Sequence, residues 1–275
     1  MEHDAAARAF ATLGHPDRLA ALRLILRFAP KGVRPTEIAD ALHIKPNTLS
    51  HHLADLAAAG LVTVTRQGRS LFYAADLTMT EGLIGYLALD LGHARADLLP
   101  EVLRKPPQVS APFHVLFLCT GNSARSIMAE ALLRDLGAER FIAHSAGTRP
   151  GPAPNPFALE VLARNEHATE NLFSKPLDGF QRAAAPKMQF VFTLCDLAAT
   201  EDCPPWPGQP ISAHWGLPDP ARAEGTGAQK ALAFAECYAQ LRRRIEAFVA
   251  LPLESLDRRT LQKRLDTLPQ QTKTE

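Results

Sequence analysis

Residues 114–137, HVLFLCTGNSARSIMAEALLRDLG, decide the fold of the longer half of this chain. Val115-Leu116-Phe117-Leu118 is continuously apolar, the pattern of a parallel strand covered on both faces. A loop follows, Cys119-Thr120-Gly121-Asn122-Ser123-Ala124-Arg125-Ser126, and then a helical stretch. The spacing is Cys-x5-Arg. In such a loop the backbone N–H groups from Thr120 through Arg125 curl round an anion, and the helix N-terminus adds partial positive charge. Gly121 and Asn122 can take the unusual backbone angles that the curl requires. Arg125 supplies a planar fork for a tetrahedral oxyanion. With the Ser126 hydroxyl, these surroundings are expected to lower the Cys119 pKa and keep the sulfur a thiolate near neutral pH.

Working outward, a nucleophile in an oxyanion loop calls for an acid. His214-Trp-Gly-Leu-Pro-Asp219-Pro220 offers one, a carboxylate on a proline-flanked loop able to protonate a leaving oxygen. QFVFTLC ends a second apolar strand and places Cys195 at its C-terminal end, the edge where α/β folds bind ligands. Cys203 follows inside AATEDCPPWPG, a loop with proline and glycine enough to rearrange. Three thiols can relay a disulfide: Cys195 attacks the Cys119 sulfur, and Cys203 then attacks Cys195. Cys237, in ALAFAECYAQL, is expected to be a helix packing residue.

The chain has 275 residues, room for two domains of about 100–200 residues each. Hydrophobic content of 46% and charged content of 21% are ordinary for a soluble globular protein. No run approaches the roughly 20 apolar residues of a membrane span. MEHDAAARAF has no basic segment followed by an apolar one, so a cytoplasmic location without membrane attachment is expected. All four cysteines lie in the second half, and in a reducing compartment catalytic thiols gain weight over structural disulfides. PEVLRKPPQVSAP holds four prolines, which reads as an extended linker over 101–112. The division is then a first domain at 1–100, a second at 113–250, and a short helix with a polar tail at 251–275.

The first half carries helical periodicity over 5–28, broken at Gly14-His15-Pro16. PTEIADALHI, a turn at Lys45-Pro46-Asn47, and TLSHHLADLAAAG read as helix, turn and second helix, stopped by Gly60. LVTVTRQGRSLFYAA reads as two strands around Gln67-Gly68. This is a winged helix-turn-helix of α+β class. Its DNA-facing residues are expected to be Asn47, Thr48, Ser50, His51 and His52, with Arg66 and Arg69 at the wing reaching phosphates. Net charge of +1 gives no bulk attraction to nucleic acid, so a local patch has to supply it. No metal site is expected in either half. On the helix at about 80–97, Asp90, His93 and Asp97 offer a single imidazole, and His51 and His52 suit DNA contact or packing better.

ATLGHPDRLAALRLIL, NTLSHHLADLAAAGLV and RQGRSLFY resemble the ArsR-type winged-helix repressors over residues 5–100. The resemblance implies an operator-DNA-binding homodimer formed through the first and last helices of that half. Its effector site does not carry over, because the half has no cysteine. CTGNSARS, HSAGT, TLCDLAATEDC and HWGLPDP resemble the thioredoxin-coupled arsenate reductases of the low-molecular-weight tyrosine phosphatase fold over residues 113–250. That resemblance implies a three-layer α/β sandwich around a short parallel sheet, arsenate and phosphate as bound oxyanions, and no tightly bound cofactor. Nucleophile, arginine, acid and relay thiols fall on Cys119, Arg125, Asp219, Cys195 and Cys203. Ala124 stands where many members have a further cysteine, and the Cys195–Cys203 spacing differs by one residue from some. The external reductant stays open between thioredoxin and glutaredoxin with glutathione. Two other functions stay open as well: a phosphatase, which needs only Cys119, Arg125 and Asp219, and a transcription factor whose second domain senses oxyanion or redox state.

Overall fold

The computed structural model describes residues 1–93, 112–182, 184–200 and 210–271. The chain divides into two compact units, Met1–Pro106 and Pro107–Glu275. Residues 101–111 of the linker expected at 101–112, together with Asp97 and Cys203, lie outside the described residues.

The first unit begins with α1 (His3–Leu13) and α2 (Pro16–Arg27). The chain turns between them because Pro16 starts a helix but cannot continue one, and the His15 ring accepts from Asp17 N at 3.1 Å as the cap. α3 (Pro35–Leu42) and α4 (Pro46–Ala58) each open on a proline at the first helical position. His43 at φ 54° ends α3. Gly60, at φ 73°, lets the chain leave α4. Ile25, Ile38, Leu49, Leu53 and Leu56 close the core beneath these helices. β1 (Val62–Gln67) and β2 (Ser70–Ala75) form the antiparallel wing, with Gln67 opposite Ser70. The two-residue tip is therefore Gly68-Arg69, one position later than the spacing suggested, and Arg69 sits in the tip. α5 (Leu77–Gly85) runs on into a wider turn at Tyr86–Leu91.

The second unit is built on four parallel strands: β3 (Phe113–Cys119), β4 (Phe141–Gly147), β5 (Phe190–Thr193) and β6 (Ile211–His214), in the spatial order β4-β3-β5-β6. Among them run α6 (Arg125–Leu136), α7 (Pro156–Arg164), α8 (Asp178–Gln181), α9 (Asp196–Thr200), α10 (Gly227–Val249) and α11 (Arg258–Gln271). Side chains alternate along β3. Phe113, Val115 and Phe117 enter the larger apolar cluster with α6, α10 and α11. Leu116 and Leu118 pack on the opposite face with Leu177, Met188 and Val191. Helices and loops on both faces make the three layers.

Residues 251–275 were expected as a short helix with a polar tail, but α11 is part of the domain. Leu261, Leu265 and Leu268 are buried in the main cluster, and the Trp215 indole donates to Leu265 O at 3.2 Å. The helical period was visible; what it packed against was not, because β6 is only four residues long.

Candidate active site

The chain order places β4 on one side of β3 and β5 on the other, so the ends of β3 and β5 flank the point where the sheet reverses direction of growth. In open parallel sheets, that crevice is where ligands bind. Cys119 closes β3, and Cys195 lies two residues beyond β5.

The loop from Cys119 to Arg125 is held from outside. The carbonyl of Cys119 accepts from Thr148 N at 3.2 Å, that of Thr120 from Arg149 N at 2.9 Å, and that of Gly121 from Gly151 N at 2.8 Å. Ser123 O accepts from Asn155 N at 2.8 Å, and Asn122 O accepts from Ser174 Oγ at 2.8 Å. In a trans peptide the N–H points away from the C=O. With five consecutive carbonyls engaged outward, the N–H groups from Thr120 to Ala124 are left for the loop interior. One of them, Asn122 N, donates to Cys119 Sγ at 3.1 Å.

Asn122 is the hub. It is fully buried at φ 42°, a left-handed conformation that asparagine tolerates better than most residues. Its Nδ2 donates to Ser126 Oγ at 2.9 Å and to Ser145 Oγ at 2.8 Å, and its Oδ1 accepts from Lys175 N at 2.6 Å. Ser145 in turn donates to Glu130 at 2.6 Å, and Lys175 Nζ lies 2.7 Å from the same carboxylate oxygen. Ser126 Oγ is 2.8 Å from Cys119 Sγ. A chain of polar groups thus runs from an ion pair to the Cys119 sulfur. Gly147 lets the loop approach: a Cβ there would stand 2.6 Å from Thr120 O and 3.0 Å from Asn122 N.

Arg125 opens α6, and its side chain is buried. Nη1 donates to Leu217 O at 2.9 Å, and Nη2 pairs with Asp219 Oδ2 at 2.8 Å. Nε is buried without a hydrogen-bond partner, so one donor of the fork remains for an anion. Asp219 also caps a short 3-10 turn through Ala221 N at 3.2 Å. Arg244, buried under the same loop, donates to Trp215 O at 2.6 Å and fixes the segment that carries the carboxylate.

Cys119, Cys195 and Ala198 form one buried cluster. Cys195 Sγ lies 3.3 Å from Thr120 Oγ1 and accepts from Ala198 N at 3.4 Å. The expected depression of the Cys119 pKa is corrected by the structure. Burial pushes the thiol above its ordinary range, and the neighbouring Cys195 adds to that. The Ser126 and Asn122 hydrogen bonds and the Arg125 charge pull it back only in part. Desolvation of the charged form outweighs them. Cys237 is buried in the core, and burial pushes its thiol up to about 12, as befits a packing residue.

In the first unit, Asn47, Thr48, Ser50 and His51 are exposed on the early turns of α4, and Arg66 and Arg69 are exposed on the wing. His52 is not with them. It is buried and faces the start of α2. The residue-52 position falls three after Leu49 and one before Leu53, on the edge of the apolar face, and a single polar letter in the sequence concealed that.

Sequence reading missed Glu130, Ser145, Lys175 and the 148–155 strap. Their partners lie far away along the chain, so no local pattern joins them. HSAGT carried Ser145 and Gly147 only as part of a resemblance.

The low molecular weight phosphotyrosine protein phosphatase model matches residues 114–263. A helix-turn-helix domain model matches residues 13–65. The arsenate reductase of Oceanobacillus iheyensis is 34% identical over 134 residues, covering 49% of this chain and 93% of that protein. The arsenate reductase of Bacillus subtilis is 33% identical over 134 residues, with the same coverage of 49% and 93%. A solved structure described as an arsenate reductase in the phosphate binding state is 27% identical with a TM-score of 0.40, covering 50% of this chain and 97% of that one. No helix among the described residues is long and apolar enough to cross a membrane.

Proposed function

The chain belongs to the low molecular weight phosphotyrosine protein phosphatase family, and we propose that it reduces arsenate to arsenite behind a DNA-binding repressor domain. The observation that carries this reading is the second thiol. A phosphatase needs Cys119, Arg125 and Asp219, whereas Cys195 buried against Cys119 serves a reaction that ends in a disulfide. Curated relatives named arsenate reductase, at 34% and 33% identity, support it.

Arsenate enters the loop and is held by the inward N–H groups and by Arg125 Nε. The raised Cys119 thiol passes its proton to the arsenate dianion, and the thiolate is stabilised by Ser126, by Asn122 N and by the N-terminus of α6. Sulfur attacks arsenic, and an oxygen departs as water with a proton supplied by Asp219. Cys195, as thiolate, then attacks Cys119 Sγ. The S–S bond forms, the S–As bond breaks, and its electron pair stays on arsenic, which leaves as arsenite. Two thiols lose two electrons and As(V) gains them. Cys203 attacks Cys195, releases Cys119 and carries the disulfide to an external dithiol, thioredoxin or glutaredoxin with glutathione.

The first unit binds operator DNA through α4 and the wing. Ile84, Leu87, Leu89 and Leu91 are 55%, 47%, 67% and 64% exposed on and after α5, an apolar face suited to a homodimer. The whole chain works in the cytoplasm.

Replacing Cys195 with serine tests the reading. Arsenate turnover with a dithiol reductant should stop while aryl-phosphate hydrolysis survives. Arsenate turnover that persists in that variant refutes the relay and leaves a phosphatase.

A further inference from the structure

The helix-turn-helix unit holds a cluster that neither DNA contact nor oxyanion chemistry uses. His15, Asp17 and His52 each bring a ligand atom to within 4.8 Å of the other two, the only such group of three found among the described residues. His15 precedes α2, Asp17 lies in its first turn, and His52 reaches them from the middle of α4. The two imidazoles lie 4.5 Å apart, centroid to centroid. His52 is 8% exposed, and its Nε2 is buried without a hydrogen bond. That nitrogen stands 3.5 Å from Asp17 Oδ2, close enough for attraction but not aligned for a bond. A buried ring nitrogen left in this state calls for a partner.

We propose that His15, Asp17 and His52 form a binding site for a borderline divalent cation of the zinc, cobalt or nickel class. Two imidazoles and a carboxylate are the donor set that such ions take, with a fourth position left for water. Bonds of about 2.0–2.2 Å put tetrahedral ligands about 3.4 Å apart. From a spacing of up to 4.8 Å the cluster needs to tighten by about 1.4 Å at most, within reach of Asp17 at the half-exposed helix start. His15 Nδ1 accepts from Asp17 N as the α2 cap, so metal binding through that ring exchanges the cap for a ligand bond or changes its tautomer. The ion would tie the start of α2 to the helix whose exposed face is aimed at DNA. This inference concerns the first unit alone and stands apart from arsenate chemistry.

Titration of the reduced full-length chain with Co(II) tests it. The expected result is one equivalent bound, with the intense visible d–d bands of a tetrahedral site and no sulfur-to-cobalt charge-transfer band in the near ultraviolet. Asp17→Asn should weaken binding at least roughly tenfold, with unchanged far-ultraviolet circular dichroism in metal-free buffer. His52→Gln should abolish it, and Asp17→Asn keeps the test valid if burial makes the glutamine variant fold poorly. Absence of the visible bands at saturating Co(II) overturns the proposal. So does a charge-transfer band, which places the metal on cysteine, or an affinity that Asp17→Asn leaves unchanged.

Discussion

Replacing Asn122 with alanine should cost the second unit about 3–5 kcal/mol, because three buried hydrogen bonds of about 1 kcal/mol each are lost and the Lys175 N–H is orphaned. The backbone adds to this. Alanine at φ 42° carries left-handed strain of about 1–2 kcal/mol. Glycine escapes the strain but loses about 0.4–1 kcal/mol to unfolded-chain entropy. Asn122→Gly should therefore be only about 0.5–1 kcal/mol more stable than Asn122→Ala. Both tryptophans, Trp206 and Trp215, belong to the second unit, so urea unfolding followed by tryptophan fluorescence reads that unit without the first. A loss below about 1 kcal/mol in Asn122→Ala, the size of one hydrogen bond, would refute the view that this side chain organises the loop. An Asn122→Gly variant as stable as wild type would assign the residue's role to backbone geometry alone.

Ser126→Ala removes a hydrogen bond that holds the Cys119 pKa down, one of about 1.5–3 kcal/mol for a charged acceptor, so the pKa should rise further. Site-resolved alkylation of Cys119 at pH 7 should slow by roughly 10–100-fold, and an unchanged rate would contradict the assignment. Gly147→Ala drives a Cβ to 2.6 Å from Thr120 O, so the loop backbone must shift; phosphate affinity by calorimetry should fall at least roughly tenfold, about 1.4 kcal/mol. Asp266 is held at about 6 by burial, against 3.8 ordinarily, with Gln262 lowering it in part. Its folded pKa is the higher one, so this stability is fully present below the ordinary value and is lost as pH rises through about 6. Asp266→Asn should therefore stabilise the second unit by about 1 kcal/mol at pH 8, a figure discounted for partial exposure, and give no gain at pH 3.

What the sequence disclosed followed the range over which its physics acts. The strand, loop and helix start around Cys119–Ser126 were legible because they are consecutive, and α3-turn-α4 was legible for the same reason. The wing tip was misplaced by one residue, since Gly68 can occupy either position of a two-residue loop. His52 was misassigned because burial depends on α2, and nothing between residues 27 and 46 indicates how close α2 comes. The Cys119 pKa was expected in the wrong direction for a related reason. Local residues announce charges and donors, while desolvation is set by everything packed around the sulfur, including Cys195, which is 76 positions away. Lys175 and Glu130 meet only through the fold.

Topology explains why a second thiol belongs at this loop at all. β5 pairs with β3 in parallel register, with Leu118 opposite Thr193, so both chains leave the sheet at one level. Neighbouring strands stand about 4.8 Å apart, and the residues just past their ends share one crevice. Leu194 N still donates to Leu118 O at 2.8 Å, continuing the ladder one step. Cys195 is the first residue free of it, and it turns into the cluster with Cys119. One residue earlier, a side chain at 194 enters the main apolar core instead, as Leu194 does. Under the proposed relay, the alternation of the strand thus favours position 195 over position 194 for a resolving thiol. Moving the thiol to position 194, by the double exchange Leu194→Cys with Cys195→Leu, should abolish arsenate turnover while leaving aryl-phosphate hydrolysis. Turnover retained in that double variant would mean that another thiol, and not the one at this strand end, attacks Cys119.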